Sequence, residues 1–171
     1  MFELKESRNE HHVYSYCTKK HPFINFFEKL YNVPQNELNK IFMKSNDFTN
    51  SVILNDIDTD LHNIFYNNIK NDDTFKKLYC NFIKDIHQQF FPNEEILIYQ
   101  SFPSIRLKFP NNVAVPPHCD SDHIANHPLG EKNFIIPITI MENKTSVYIE
   151  SEPGKKDFEP VKLLPGDLWF F

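Results

Sequence analysis

The sequence predicts an α+β fold, with helices in the first half packed outside a mainly β core built from the second. Three observations carry this prediction. Up to Phe90, apolar residues recur at helical spacing. Beyond Phe91-Pro92 they occur in short strand-like runs. Pro, Asn and Gly turn signals then separate those runs at close intervals. Helices followed by many short strands suit helices packed outside a β-sandwich or barrel.

The helical elements follow in chain order. His21-Pro22-Phe23-Ile24-Asn25-Phe26-Phe27-Glu28-Lys29-Leu30 has an apolar face. Pro34 to Leu38 reads as a helix start, with proline in the first turn. Ile57, Leu61, Ile64, Phe65 and Ile69 recur at helical spacing. So do Phe75, Leu78, Tyr79, Phe82, Ile83, Ile86 and Phe90, after a cap at Asp72 or Asp73. These last two stripes give the strongest helical signals, and their aromatic residues are expected in the core.

Strands are expected at residues 95–101, 104–109, 133–139, 145–151, 158–164 and 168–171. Pro110-Asn111-Asn112, Pro128-Leu129-Gly130, Glu142-Asn143-Lys144, Pro153-Gly154 and Pro165-Gly166 separate them. A double-sheet jelly roll of the cupin type takes about eight strands and the chain supplies about six, so the last core strands are expected to be missing. With no repeat or linker, residues 1–171 read as a single domain: a helical support region at 1–91 and a partial β core at 92–171.

Length and charge narrow the function. A chain of 171 residues can bury a real core. A net charge of −5 without a basic stripe argues against nucleic acid as the main partner. No apolar run reaches the roughly 20 residues of a membrane span, and the N-terminus lacks the form of a signal peptide. Cys17, Cys80 and Cys119 are far apart and odd in number, which reads as free thiols in a reducing cytoplasm. The pair His11-His12 reads as surface residues. Oligomeric state is left open.

The chemistry-bearing segment is Pro116-Pro117-His118-Cys119-Asp120-Ser121-Asp122-His123. On a strand, residues two apart share a face, so His118 and Asp120 project together while Cys119 points away. An imidazole and a carboxylate are two of the three ligands of the facial triad that holds non-heme Fe(II) with open coordination positions. Alone, H-x-D is also what a surface turn would contain; the double proline and the alternating Ile105, Leu107, Phe109 before it favour a strand.

The wider segment carries a resemblance. Phe102-Pro103-Ser104-Ile105-Arg106-Leu107-Lys108-Phe109-Pro110 is followed by His118-Cys119-Asp120-Ser121-Asp122, and then by Pro128-Leu129-Gly130-Glu131-Lys132-Asn133-Phe134-Ile135-Ile136-Pro137-Ile138-Thr139. Ile149-Glu150-Ser151-Glu152-Pro153-Gly154-Lys155-Lys156-Asp157-Phe158 and Pro165-Gly166-Asp167 complete it. In order and spacing this resembles the Fe(II)/2-oxoglutarate-dependent oxygenases, in the streptomycin-biosynthesis-type branch related to phytanoyl-CoA hydroxylases. The resemblance implies a double-stranded β-helix, Fe(II), 2-oxoglutarate as cosubstrate and O2. It implies a hydroxylase-type reaction on a small molecule, with succinate and CO2 as coproducts; the substrate stays open. His118 and Asp120 become the metal ligands and catalytic pair. Arg106, Asn133 and Thr139 become candidates to touch the cosubstrate, although an Arg in an alternating strand more often faces solvent. Asp122 and Glu131 could support the ligands or simply be surface carboxylates, and Glu150 matches a motif position without a derivable role. The family's distal His ligand and its basic clamp for 2-oxoglutarate match nothing here and are expected beyond Phe171. The 171-residue chain alone is therefore expected to be inactive, with unpaired edges and exposed Trp169, Phe170 and Phe171.

Three other readings stand beside this one. His118-Cys119-Asp120-Ser121-Asp122-His123 is similar to the zinc motif of metallo-β-lactamase-type hydrolases, but has Asp where that motif has its second His. His118, Asp120, His123 and His127 could form a local metal site. A non-catalytic, cupin-like binding module or inactive fragment is the third, with a sheet edge that pairs with another chain.

Overall fold

The computed structural model describes residues 1–8, 11–44, 59–108, 127–128, 130–152 and 154–171. Its elements are β1 (Glu3–Arg8), β2 (His11–Ser15), α1 (Phe23–Leu30), α2 (Asp60–Ile69), α3 (Asp73–Phe90), β3 (Phe134–Ile135), β4 (Tyr148–Ile149), β5 (Glu159–Pro160) and β6 (Asp167–Phe170). The architecture is mixed, with helices and small antiparallel sheets. No barrel closes among the described residues.

Helix α3 is where the sequence pattern speaks most directly. The Asp72 carboxylate accepts hydrogen bonds from the backbone N–H of Thr74 (2.7 Å) and Phe75 (2.9 Å), so Asp72 is the cap. Phe75, Tyr79, Phe82 and Ile86, three or four apart, form its buried face. The helix stops at Phe90, because Pro92 has no N–H and disfavours helical backbone at Phe91. Helix α2 begins similarly: the Thr59 hydroxyl accepts from the His62 N–H at 3.3 Å. Leu61, Phe65 and Ile69 face inward, whereas Ile64 turns out to solvent.

The three helices share an aromatic interior. Phe27 stacks on Phe65 with centroids 5.4 Å apart, and Phe65 meets Phe75 edge-on at 5.9 Å. Phe82 is only 2% exposed and meets the rings of Phe2, Tyr16, His21 and Phe23 edge-on. Edge-to-face contact places the positive rim of one ring on the negative face of another.

The main sheet has the order β1-β2-β6-β3. In β2 and β6, Val13 lies opposite Trp169 and Tyr14 opposite Leu168; in β3 and β6, Phe134 lies opposite Phe170. The final strand therefore lies inside the sheet, flanked on both sides. Trp169 is 1% exposed and Phe170 and Phe171 are partly buried, contrary to the expectation that all three would be left in solvent. The partner that covers them is the N-terminal strand pair, which the sequence does not announce. One face of this sheet rests on the end of α3, where Phe90 meets Tyr14 at 4.8 Å and Phe170 at 5.6 Å.

A second sheet pairs β4 with β5, and an isolated antiparallel bridge joins Met141 to Leu163. Several expected elements differ. The helix expected from Pro34 is a turn, followed by a 3-10 helix at Leu38–Lys44; Asn36 takes a positive φ that an α-helix does not contain. Residues 95–101 and 104–108 join no ladder with other described residues, and Phe109 lies outside them. The expected strands at 133–139, 145–151 and 158–164 shrink to two-residue ladders, and Thr145 belongs to a 3-10 turn, Asn143–Thr145.

Candidate functional site

His118, Cys119, Asp120, Asp122 and His123 lie outside the described residues, as does Ile57 of the α2 stripe. Among the described residues, no group of three or more His, Cys, Asp or Glu side chains could hold a metal ion.

Upstream of the segment, Ile105 and Leu107 are buried and Arg106 between them is exposed. The Ile105 N–H donates to the Tyr66 hydroxyl at 3.2 Å, which ties this run to α2. Arg106 thus lies on the outward face, the blander of its two expected placements. Beside it, a cleft of about 390 Å³ is lined by Tyr66, Gln100, Ser101, Phe102, Pro103 and Ser104.

Downstream, His127 pairs with Glu131 at 2.9 Å. That contact gives Glu131 a local role at the surface. Asn133 is half-buried and fixed by its backbone: its N–H donates to the Phe171 carbonyl at 2.8 Å, and the Phe171 N–H donates back at 3.1 Å. Thr139 is half-buried further along the same run. Along the chain, Arg106 precedes the proposed ligands and Asn133 and Thr139 follow them.

Two motif positions turn out to organise turns. In Pro165-Gly166-Asp167, Gly166 has φ +97°, a conformation that costs a side-chain-bearing residue, and an added Cβ would come within 3.3 Å of Thr18 Cγ2. The Asp167 carboxylate accepts from the Leu164 N–H at 2.8 Å and pairs with Lys5 at 2.6 Å. The Gly166 carbonyl accepts from the Tyr16 N–H at 2.9 Å, locking the turn onto β2's end. In the loop between β4 and β5, Ser151 donates to Asp157 through its N–H (3.0 Å) and its hydroxyl (2.6 Å). These bonds hold the Asp157 carboxyl below its ordinary range. One Glu150 carboxylate oxygen is buried with no hydrogen-bond partner among the described residues.

A polar cluster that sequence patterning missed sits under α3. The His21 ring is 2% exposed and its Nε2 lies 2.7 Å from Asp85 Oδ2, which also receives the Lys20 ammonium. Partial burial pushes the Asp85 carboxyl up, but hydrogen bonds and charge from Lys20 and His21 outweigh it and hold it below its ordinary value. Burial and the nearby Asp167 carboxylate push the Tyr16 hydroxyl up, so it stays neutral. Asp85 is on the outward edge of α3's apolar stripe, and nothing in that spacing points to residues so far back in the chain. With His21 buried and Lys20 reaching in from the surface, this cluster ties the segment before α1 to α3, so its arrangement suits support.

Among the described residues, no helix is long and apolar enough to cross a membrane. No family model, curated protein or solved structure matches the chain.

Proposed function

We propose that the chain is a non-heme Fe(II)/2-oxoglutarate-dependent oxygenase of hydroxylase type, acting on a small molecule in the cytoplasm, with its strands part of a double-stranded β-helix. The observation that carries this reading is the ordered run in the sequence: His118-x-Asp120 set between the Phe102–Phe109 and Asn133–Thr139 segments, with Pro165-Gly166-Asp167 at the end. The antiparallel ladders at β3–β6 and β4–β5 support it, because such a fold is assembled from short antiparallel strands.

The donor set fits the metal. A neutral imidazole nitrogen and a carboxylate oxygen suit Fe(II) and leave positions free. Iron with 2-oxoglutarate supplies the oxidising power, coupling decarboxylation of the cosubstrate to oxygenation of the substrate. The residues of the chain have simpler tasks. His118 and Asp120 hold the metal, and Asn133 and Thr139 offer hydrogen bonds. The run that carries Asn133 and Thr139 is positioned by the Phe171 contacts to Asn133.

Anaerobic titration with Fe(II) tests the ligand assignment without requiring turnover. His118→Ala and Asp120→Ala should each weaken binding at least tenfold, and Cys119→Ala should leave it unchanged, since residues one apart on a strand would face opposite sides. Binding lost in Cys119→Ala and retained in His118→Ala would overturn the assignment.

A further inference from the structure

We propose that residues 95–101 form a self-association edge, along which two copies of this chain pair antiparallel about Leu97. The run has the form of a strand without a strand's partners. From Ile96 to Gln100 the backbone makes no helix, turn or bend. Its residues, Ile96, Ile98 and Tyr99 above all, are strong strand formers. Among the described residues, no backbone hydrogen bond involves Ile96, Leu97, Ile98 or Tyr99.

The inner side of this run is held in place. The Tyr79 hydroxyl of α3 donates to the Gln100 carbonyl at 3.1 Å, and the Tyr99 ring meets Tyr79 edge-on at 6.2 Å. Leu97 is half-buried. The outer side is apolar and open: Ile96 is 79% exposed and Ile98 is 93% exposed. A docked apolar run whose backbone groups meet no partner among the described residues is what β-pairing recognises.

The charge pattern selects the occupant and its direction. Glu94 and Glu95 stand at one end, whereas Gln100 and Ser101 at the other carry no charge. Parallel pairing in register would set each glutamate against its own copy. Antiparallel pairing about Leu97 sets Glu94 opposite Gln100 and Glu95 opposite Tyr99, and brings Ile96 opposite Ile98 twice on the exposed face. Such cross-strand apolar pairs stabilise a ladder, and like charges in direct opposition destabilise it. The result is isologous, with the same patch contributed by both copies.

Sedimentation equilibrium on the whole chain is the test. At about 100 µM the protein should show twice its 20.4 kDa mass. Ile98→Lys should restore the monomer, whereas Asn63→Lys on the exposed face of α2 should keep the dimer. Register is read by oxidative cross-linking with the native cysteines replaced by serine. Leu97→Cys should form an intermolecular disulfide, and Glu94→Cys should not. A monomeric wild-type chain, a dimer that persists in Ile98→Lys, a bond at Glu94→Cys or none at Leu97→Cys would each overturn the proposal.

Discussion

Helix α3 and the run just after it are both rich in large apolar side chains, and they spend them differently. In α3 the apolar residues fall three and four apart, which puts Phe75, Tyr79, Phe82 and Ile86 on one buried face. In 95–101 they are consecutive, Ile96 to Tyr99, so an extended run sends them to both faces, and with α3 on one side Ile96 and Ile98 stay outside. A helix completes its own hydrogen bonds and needs a neighbour only for its stripe. A strand needs neighbours for its backbone too, so the same apolar content leaves it open until a second strand arrives.

The comparison breaks first at Phe82. Four aromatic rings, from the N-terminus, the residue just after β2 and the segment around α1, converge on it. Phe82→Ala should cost about 3–5 kcal/mol, because the lost transfer energy is joined by the cavity left among those rings. Chemical denaturation measures it directly. An unchanged midpoint would mean that α3 is not the pillar of the helical half.

Asp85, on the margin of the same helix, sharpens the comparison by asking how much of α3's hold is polar. Asp85→Ala should cost about 1–3 kcal/mol, since it removes the partner of a buried His21 nitrogen. The pH dependence has a definite sign. The folded-state carboxyl titrates below its ordinary 3.8, so its stabilisation is complete above that value and drains away as the pH falls through the lower folded-state value. Melting curves below pH 4 should therefore fall less steeply in Asp85→Ala than in the natural chain. Parallel curves would show that Asp85 has no folded-state partner.

The same contrast explains what could be read from sequence. The α3 stripe, and its cap to within one residue, were legible because their signals are local, within one or two turns. The N-terminal strands were not, because β2 finds its partner β6 at the far end of the chain, and Val13 gives no hint of Trp169. The turn at Pro165-Gly166-Asp167 was legible as a turn, but its anchoring by Lys5 and Tyr16 was not. For the candidate site, the H-x-D spacing was readable as chemistry, and Arg106 was readable only as one of two faces. Burial of Ile105 and Leu107 decides between them.

The smallest expected effect lies at Ile98 and tests the other side of the comparison. At low protein concentration, Ile98→Ser should change stability by no more than about 0.5 kcal/mol, as befits a side chain surrounded by water. At high concentration the two proteins should part. Association stabilises only the species that pairs, so the natural chain's melting temperature should climb with concentration and the variant's should stay flat. A fall of several degrees in the dilute variant would mean that Ile98 packs against its own chain, and the contrast between a self-sufficient helix and an open strand would lose its second half. If dilution has no effect on either protein and the two melt together, Ile98 is exposed, but the edge it marks recruits no second copy.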